Sequence, residues 1–137
     1  MTIGGLKHAV PWWQSAVIYH LYVRSFKDSN GDLMGVLREL DYLSETLGVD
    51  AVWLSPFYSS PMIDGGYDVT DHTGVDPLFG DLSLFDQLIV EAHRRDLRVI
   101  LDFIPNHTSE LLISPSSSPG WRSSHFRLAK MGDLLRR

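Results

Sequence analysis

Two kinds of hydrophobic spacing alternate along the first hundred residues, and this alternation restricts the chain to an α/β arrangement with parallel strands. Residues 17–26 form a mostly apolar run (Val17, Ile18, Tyr19, Leu21, Tyr22, Val23 and Phe26), rich in the β-branched and aromatic side chains that suit a buried strand. Beyond a turn marked by Asn30 and Gly31, apolar residues recur three and four apart at Val36, Leu37, Leu40, Leu43 and Leu47. That spacing lays a stripe along one helix face, and Gly48 stands where a left-handed cap belongs. Residues 49–54 are again short and apolar, stop just before Pro56, and read as a second strand covered on both faces. Leu82, Phe85, Leu88, Ile89 and Ala92 trace a second helical stripe. Arg94 and Arg95 lie near its C-terminus, where cations complement the helix dipole, and Asp96 ends it. Residues 97–104, closed by Pro105, are the third strand. The order is β-α-β-α-β, and helices of this length provide the crossovers that join parallel strands.

With 137 residues, 44% of them hydrophobic, the chain has enough apolar material for one core. Its net charge of −5 argues against nucleic acid or an anionic membrane as partner, because phosphate binding draws on an excess of Lys and Arg. A neutral ligand fits that balance better. The absence of cysteine excludes disulfides and thiolate metal sites. No apolar stretch approaches the ~20 residues that cross a bilayer, and residues 1–11 offer only Lys7 and His8 as basic groups and no signal-like apolar run. A soluble, cytoplasmic protein is expected. Composition shifts after Glu110: of the 17 acidic residues only Asp133 follows it, against Arg122, Arg127, Lys130, Arg136 and Arg137. Residues 1–110 therefore read as the folded unit, and residues 111–137 as a divergent basic tail expected to be disordered.

Parallel strands joined by helices deliver the loops that follow them to one end of the sheet. The loop at residues 56–80 is too long for a mere connection. It carries Gly66-Tyr67-Asp68-Val69, and the end of the third strand carries Asp102-Phe103-Ile104-Pro105-Asn106-His107. Singly, each polar residue has a plain structural use: Asp68 as a turn residue, Asp102 as a strand-end cap, His107 as a partner of backbone carbonyls. Together they bring a ring, two carboxylates, an amide and an imidazole to one rim. Sugars call for such a surface, because aromatic faces pack on pyranose C–H groups while carboxylate and imidazole groups hydrogen-bond the hydroxyls. Nearer the N-terminus, Asp28-x-Asn30-x-Asp32 alternates oxygen side chains in a way that can wrap a structural calcium ion, the simpler reading being an Asn-Gly turn. A small doubly wound nucleotide-binding domain would share the element order, but the first strand is followed by neither G-x-G-x-x-G nor G-x-x-x-x-G-K-[ST]. The remaining alternative is a non-catalytic module that binds sugar or pairs with another chain.

Several ordered motifs carry a resemblance. Residues 18–26 (IYHLYVRSF) with 28–32 (DSNGD), then 47–56 (LGVDAVWLSP), the loop from Ser60-Pro61-Met62 to Asp68, 76–80 (DPLFG) and 102–107 (DFIPNH) are similar to the opening of α-glucosidases, oligo-1,6-glucosidases and trehalose-forming enzymes of the α-amylase family. The match runs from Trp12 to about Ser109. It implies the first β-α-β-α-β part of a TIM (β/α)8 barrel, incomplete here, and an α-glucoside hydrolase or transglycosylase acting on neutral α-linked gluco-oligosaccharides by a retaining mechanism. It also implies that Asp68 and His107 hold hydroxyls of the terminal glucose, with Tyr67 as stacking platform and Asp102 and Asn106 supporting the site. The family's nucleophile and proton donor come from later strands, so the chain alone is expected to be inactive. No cofactor is required. The family's loop around residues 28–32 usually runs longer, and its shortening here removes calcium ligands. His72 replaces a more usual tyrosine, and Asp96 a more usual glycine. The resemblance fades where the composition turns basic. A shift of reading frame there would account for both changes, and other frames of the downstream nucleotides are then expected to encode the later strands. Three strands cannot close a barrel, so edges and helix faces are expected to lack partners.

Overall fold

The computed structural model describes residues 10–26 and 31–109. Within them the alternation resolves into a three-stranded sheet of β1 (Ile18–Leu21), β2 (Ala51–Leu54) and β3 (Arg98–Leu101), in that spatial order and parallel throughout. Helix α1 (Leu33–Arg38) lies between β1 and β2 in sequence, and α2 (Leu82–His93) between β2 and β3. The register aligns Tyr19 with Val52 and Val99, and Leu21 with Leu54 and Leu101, while His20, Trp53 and Ile100 form the row between. Side chains alternate faces along a strand, so the first two rows share one face and the third takes the other.

Burial follows that division. Leu21, Val52, Leu54 and Val99 are buried with Val36, Leu40 and Leu43 from the first helical region, Phe85, Leu88, Ile89 and Ala92 from α2, and Phe57 and Phe79 from the intervening loop. On the opposite face Ile18 and Trp53 are 41% and 38% exposed, and His20 and Arg98 are also exposed. Among the described residues, β2 is buried on its helix side, while on the other face Ala51 is buried and Trp53 exposed, so the cover on both faces that its apolar run suggests is found at Ala51 and not at Trp53. No described strand pairs with the outer edge of β1 or β3.

Each helix begins on an aspartate. The Asp32 carboxylate accepts the Gly35 N–H at 2.8 Å, and the Asp81 carboxylate accepts the Leu84 N–H at 2.8 Å, each satisfying a donor the helix leaves unpaired. The first stripe is not one regular helix. After α1 the chain turns at Glu39 and widens into a π-helical turn over Tyr42–Thr46, with the Leu47 N–H donating to the Tyr42 carbonyl. A wider turn uses more residues per revolution, so the three-and-four phase slips at its end: Leu40 and Leu43 are fully buried, but Leu47 is 42% exposed. Gly48, at φ +65°, then lets the Val49 N–H reach back to the Leu43 carbonyl, a six-residue closure that reverses the chain into β2. At the end of α2, Asp96 adopts φ +55°, a left-handed conformation that Asp tolerates better than most residues, and the Leu97 N–H closes on the Ala92 carbonyl.

The strands are shorter than the apolar runs. The β1–β2 ladder ends where the Ser55 N–H meets the Leu21 carbonyl, and the chain leaves the sheet at Pro56. Residues beyond Leu21 have no strand to pair with and coil into a 3-10 turn, Val23–Ser25. Gly31, at φ +60°, packs against that turn so closely that a Cβ would run into the Arg24 carbonyl. Arg95 ties α2 back to the first helical region through Asp41 at 2.6 Å, and also pairs with Glu91 at 2.9 Å. Asp41 is mostly solvent-exposed, which keeps the worth of that pair small. Arg98 lies 4.4 Å over the Trp12 ring, anchoring the N-terminal 3-10 turn (Trp12–Gln14) to β3. Among the described residues no helix is long and apolar enough to cross a membrane.

The phase slip makes two leucines of one stripe unequal. Leu40→Ala is expected to cost about 2–5 kcal/mol in a urea melt, as cavity-forming core substitutions do, and Leu47→Ala about 1 kcal/mol or less. Equal losses would place Leu47 in the core after all.

Candidate functional site

Because the strands are parallel, the residues that follow β1, β2 and β3 emerge at one end of the sheet. The segment after β2 is folded on itself there. Ser59 and Asp71 form an antiparallel bridge, the Thr70 N–H donates to the Ser59 carbonyl at 2.8 Å, and the Asp76 N–H donates to the Phe57 carbonyl at 2.9 Å. The segment after β3 docks onto it: the Ser109 N–H donates to the Val69 carbonyl at 3.0 Å, and the His72 ring donates from Nε2 to the Ile104 carbonyl at 3.2 Å. Tyr58, Val69 and Ile104 make a small buried cluster between the two segments.

Asp102 organises the rim. Its Oδ2 accepts the Tyr67 hydroxyl at 2.8 Å and its Oδ1 accepts the Trp53 indole N–H at 2.7 Å, while its backbone carbonyl accepts the Tyr58 hydroxyl at 2.9 Å. Burial, and then the Asp102 charge, push the Tyr58 phenol up to about 12, so it stays a neutral donor. Tyr67 is also held above the ordinary phenol range, first by its hydrogen bond to Asp102, then by burial and by the carboxylate charge, with the Ser55 hydroxyl pulling the other way. The Tyr67 ring remains 37% exposed. The Tyr22 hydroxyl, from the end of β1, donates to the Gly65 carbonyl at 3.2 Å and fixes the loop from a third side.

His107 reaches the same place. Its Nε2 lies 3.0 Å from the Tyr67 carbonyl, which can only accept, so Nε2 carries a proton. The structure therefore joins Tyr67, Asp102 and His107 in one cluster. Asp68 is not drawn into it. Its Oδ1 accepts the Ser60 hydroxyl at 2.7 Å and its Oδ2 accepts the Ile63 N–H at 3.0 Å, closing the loop over residues 60–68. Burial pulls its carboxyl upward, but the Ser60 hydroxyl and the N–H groups of Ile63, Asp64 and Asp68 together hold it below the ordinary value. Each oxygen keeps further acceptor capacity toward a hydroxyl. Asn106 is exposed just beyond Pro105.

Sequence reasoning did not single out Trp53, Tyr58, Ser55 or His20. His20 stacks on Trp53 with ring centroids 4.4 Å apart, and its Nε2 lies 2.9 Å from the Ser55 Oγ. The apolar runs around His20 and Trp53 carry no signal for these contacts, which appear only once the strand register is known. Of the expected calcium ligands, Asp28 and Asn30 lie outside the described residues, and Asp32 caps α1. Among the described residues no group of three or more His, Cys, Asp or Glu is arranged to hold a metal ion. The basic tail at residues 111–137 also lies outside them.

A three-stranded parallel sheet with its polar groups gathered beyond the strand ends is the pattern of a (β/α)8 barrel segment, and the comparisons with known proteins agree. The sequence model of the α-amylase catalytic domain matches residues 20–117. This chain belongs to the α-amylase family, and its fold is part of that family's barrel. It is 51% identical over 108 residues to trehalose-6-phosphate hydrolase of Escherichia coli K12, and 52% identical over 103 residues to a probable alpha-glucosidase of Rhizobium meliloti. Among solved structures it resembles the alpha-glucosyl transfer enzyme XgtA (54% identity, TM-score 0.70) and isomaltulose synthase of Erwinia rhapontici (46% identity, TM-score 0.70). The matches cover 76% and 72% of this chain for the two sequences and 73% and 74% for the two structures, but only 18–19% of each of those proteins.

The depressed Asp68 carboxyl gives a pH test with a definite sign. A group held below its unfolded value of 3.8 stabilises the fold fully above that value, and loses its effect as pH falls through the lower folded value. Asp68→Asn should therefore destabilise the chain at pH 7 and differ little from the parent at the acid end of a urea-melt series. A penalty that grows on acidification would contradict this.

Proposed function

We propose that this part of the barrel is the sugar-holding side of an α-glucoside-processing site, which grips the terminal glucose of a neutral α-linked gluco-oligosaccharide. The observation that carries the reading is the bond from His107 Nε2–H to the Tyr67 carbonyl, because it ties the imidazole to the backbone of the residue that bears the exposed aromatic ring and directly precedes Asp68. The Tyr67 face packs on pyranose C–H groups, His107 Nδ1 accepts from one hydroxyl, and Asp68 accepts from another with the acceptor capacity its loop bonds leave over. Asp102 and Asn106 support them.

Retaining glycosidases separate two tasks. One carboxylate attacks the anomeric carbon and a second protonates the leaving oxygen, with ~5 Å between them. The family resemblance assigns both to later strands. Groups that only orient sugar bind ground state and transition state alike and leave the barrier in place, so the 137-residue chain binds without cleaving. Hydrolysis and glucosyl transfer share the same glucose-holding groups and differ in the acceptor.

Titration of the full chain with maltose and isomaltose, followed by backbone amide NMR, should move resonances around Tyr67, Asp68, Asp102 and His107. Tyr67→Ala and His107→Ala should each weaken binding about three- to tenfold, the worth of one stacking contact or one hydrogen bond. Glucose release should stay at background. Unmoved resonances at saturating sugar would remove the sugar-holding reading, and genuine glucose release would remove the division of labour.

A further inference from the structure

The contacts between His20, Ser55, Trp53, Asp102 and Tyr67 form a belt across the ends of all three strands. His20 comes from β1, Trp53 from β2, Ser55 from the residue after β2, and Asp102 from the residue after β3. His20 touches two members at once, with its ring on Trp53 and its Nε2 at the Ser55 hydroxyl. Trp53 and Tyr67 reach Asp102 by separate hydrogen bonds, one to each carboxylate oxygen. We infer that Trp53, braced by His20 and, through His20, by Ser55, is a positioning residue that through Asp102 fixes the Tyr67 ring at the angle at which it meets sugar. The inference rests on the sugar-holding reading for its purpose, but its geometry stands independently.

Charge and valence explain why an aspartate sits at the centre. An ionised carboxylate is acceptor-only and presents an oxygen to each of two donors. An amide of the same size offers one oxygen and turns an NH2 group toward the second donor. Asp102→Asn keeps the volume but leaves one oxygen for two donors, so either the Trp53 indole N–H loses its acceptor or the Tyr67 hydroxyl must turn from donor to acceptor. Ser55 acts in the opposite sense, since its hydroxyl eases ionisation of the Tyr67 phenol whereas Asp102 opposes it.

The experiment uses the full chain and its Asp102→Asn, Ser55→Ala and Trp53→Phe variants. Tyr67 ionisation is read from absorbance near the phenolate band as the difference from Tyr67→Phe, and the Trp53 indole N–H peak is assigned by its loss in Trp53→Phe. Asp102→Asn should move the Tyr67 ionisation down the pH scale and speed solvent exchange of the Trp53 indole proton. Ser55→Ala should move the ionisation up. Maltose affinity should fall about three- to tenfold in Asp102→Asn, and adding Tyr67→Phe should not deepen the loss as independent sites would. A Tyr67 ionisation and a Trp53 peak that both stay put in Asp102→Asn would overturn the inference, as would shifts of the same sign in Asp102→Asn and Ser55→Ala. If the parent chain binds no maltose, the sugar-holding reading fails, and the two spectroscopic readouts still decide whether the belt holds the ring.

Discussion

The in-register parallel pairing of three short strands is the constraint from which the other features descend. Four residues per strand are aligned so that one row faces the helices while the row of His20, Trp53 and Ile100 faces away. A slip of one residue would send Trp53 into the helix core and Leu54 out of it, because side chains change face at every step. The apolar helix side resists such a slip, since Leu21, Val52, Leu54 and Val99 are all buried there. Packing on one face therefore fixes the position of polar and aromatic groups on the other.

From that fixed frame the site needs only the residues just past the strand ends. Asp102 follows β3 directly, and its backbone N–H still contacts the Leu54 carbonyl, so the carboxylate begins from the ladder itself and not from a free loop. Three aromatic side chains donate to this one residue, two to its carboxylate and one to its carbonyl. A long loop is thereby tied to the sheet.

How far this was legible in the sequence depended on the distance over which each feature is decided. The β-α-β-α-β order and the two helix starts are local, and the period of the apolar residues displays them. Leu47 misled because the π-helical turn before it is a backbone choice that leaves no mark on the three-and-four spacing. Strand lengths were overestimated for a similar reason: Tyr22, Val23 and Phe26 continue the apolar run, but pairing ends when the neighbouring strand leaves at Pro56. Tyr67, Asp102 and His107 could be named as rim residues from their place after strands. That Trp53 shares Asp102 with Tyr67 could not, since those bonds join residues 49 and 35 positions apart and exist only at one register. A continuous apolar strand also gives no alternation from which to tell which face Trp53 occupies.

Gly31 and Gly48 share nearly the same backbone angle, at φ +60° and +65°, yet differ in their surroundings. Around Gly48 there is open space, whereas Gly31 lies against the Arg24 carbonyl. Substituting either one strains the backbone, but only the second also collides. In a saturation library screened for folded chains, position 48 would admit asparagine and position 31 would return glycine alone, so two residues indistinguishable on a Ramachandran plot would leave opposite records of tolerance.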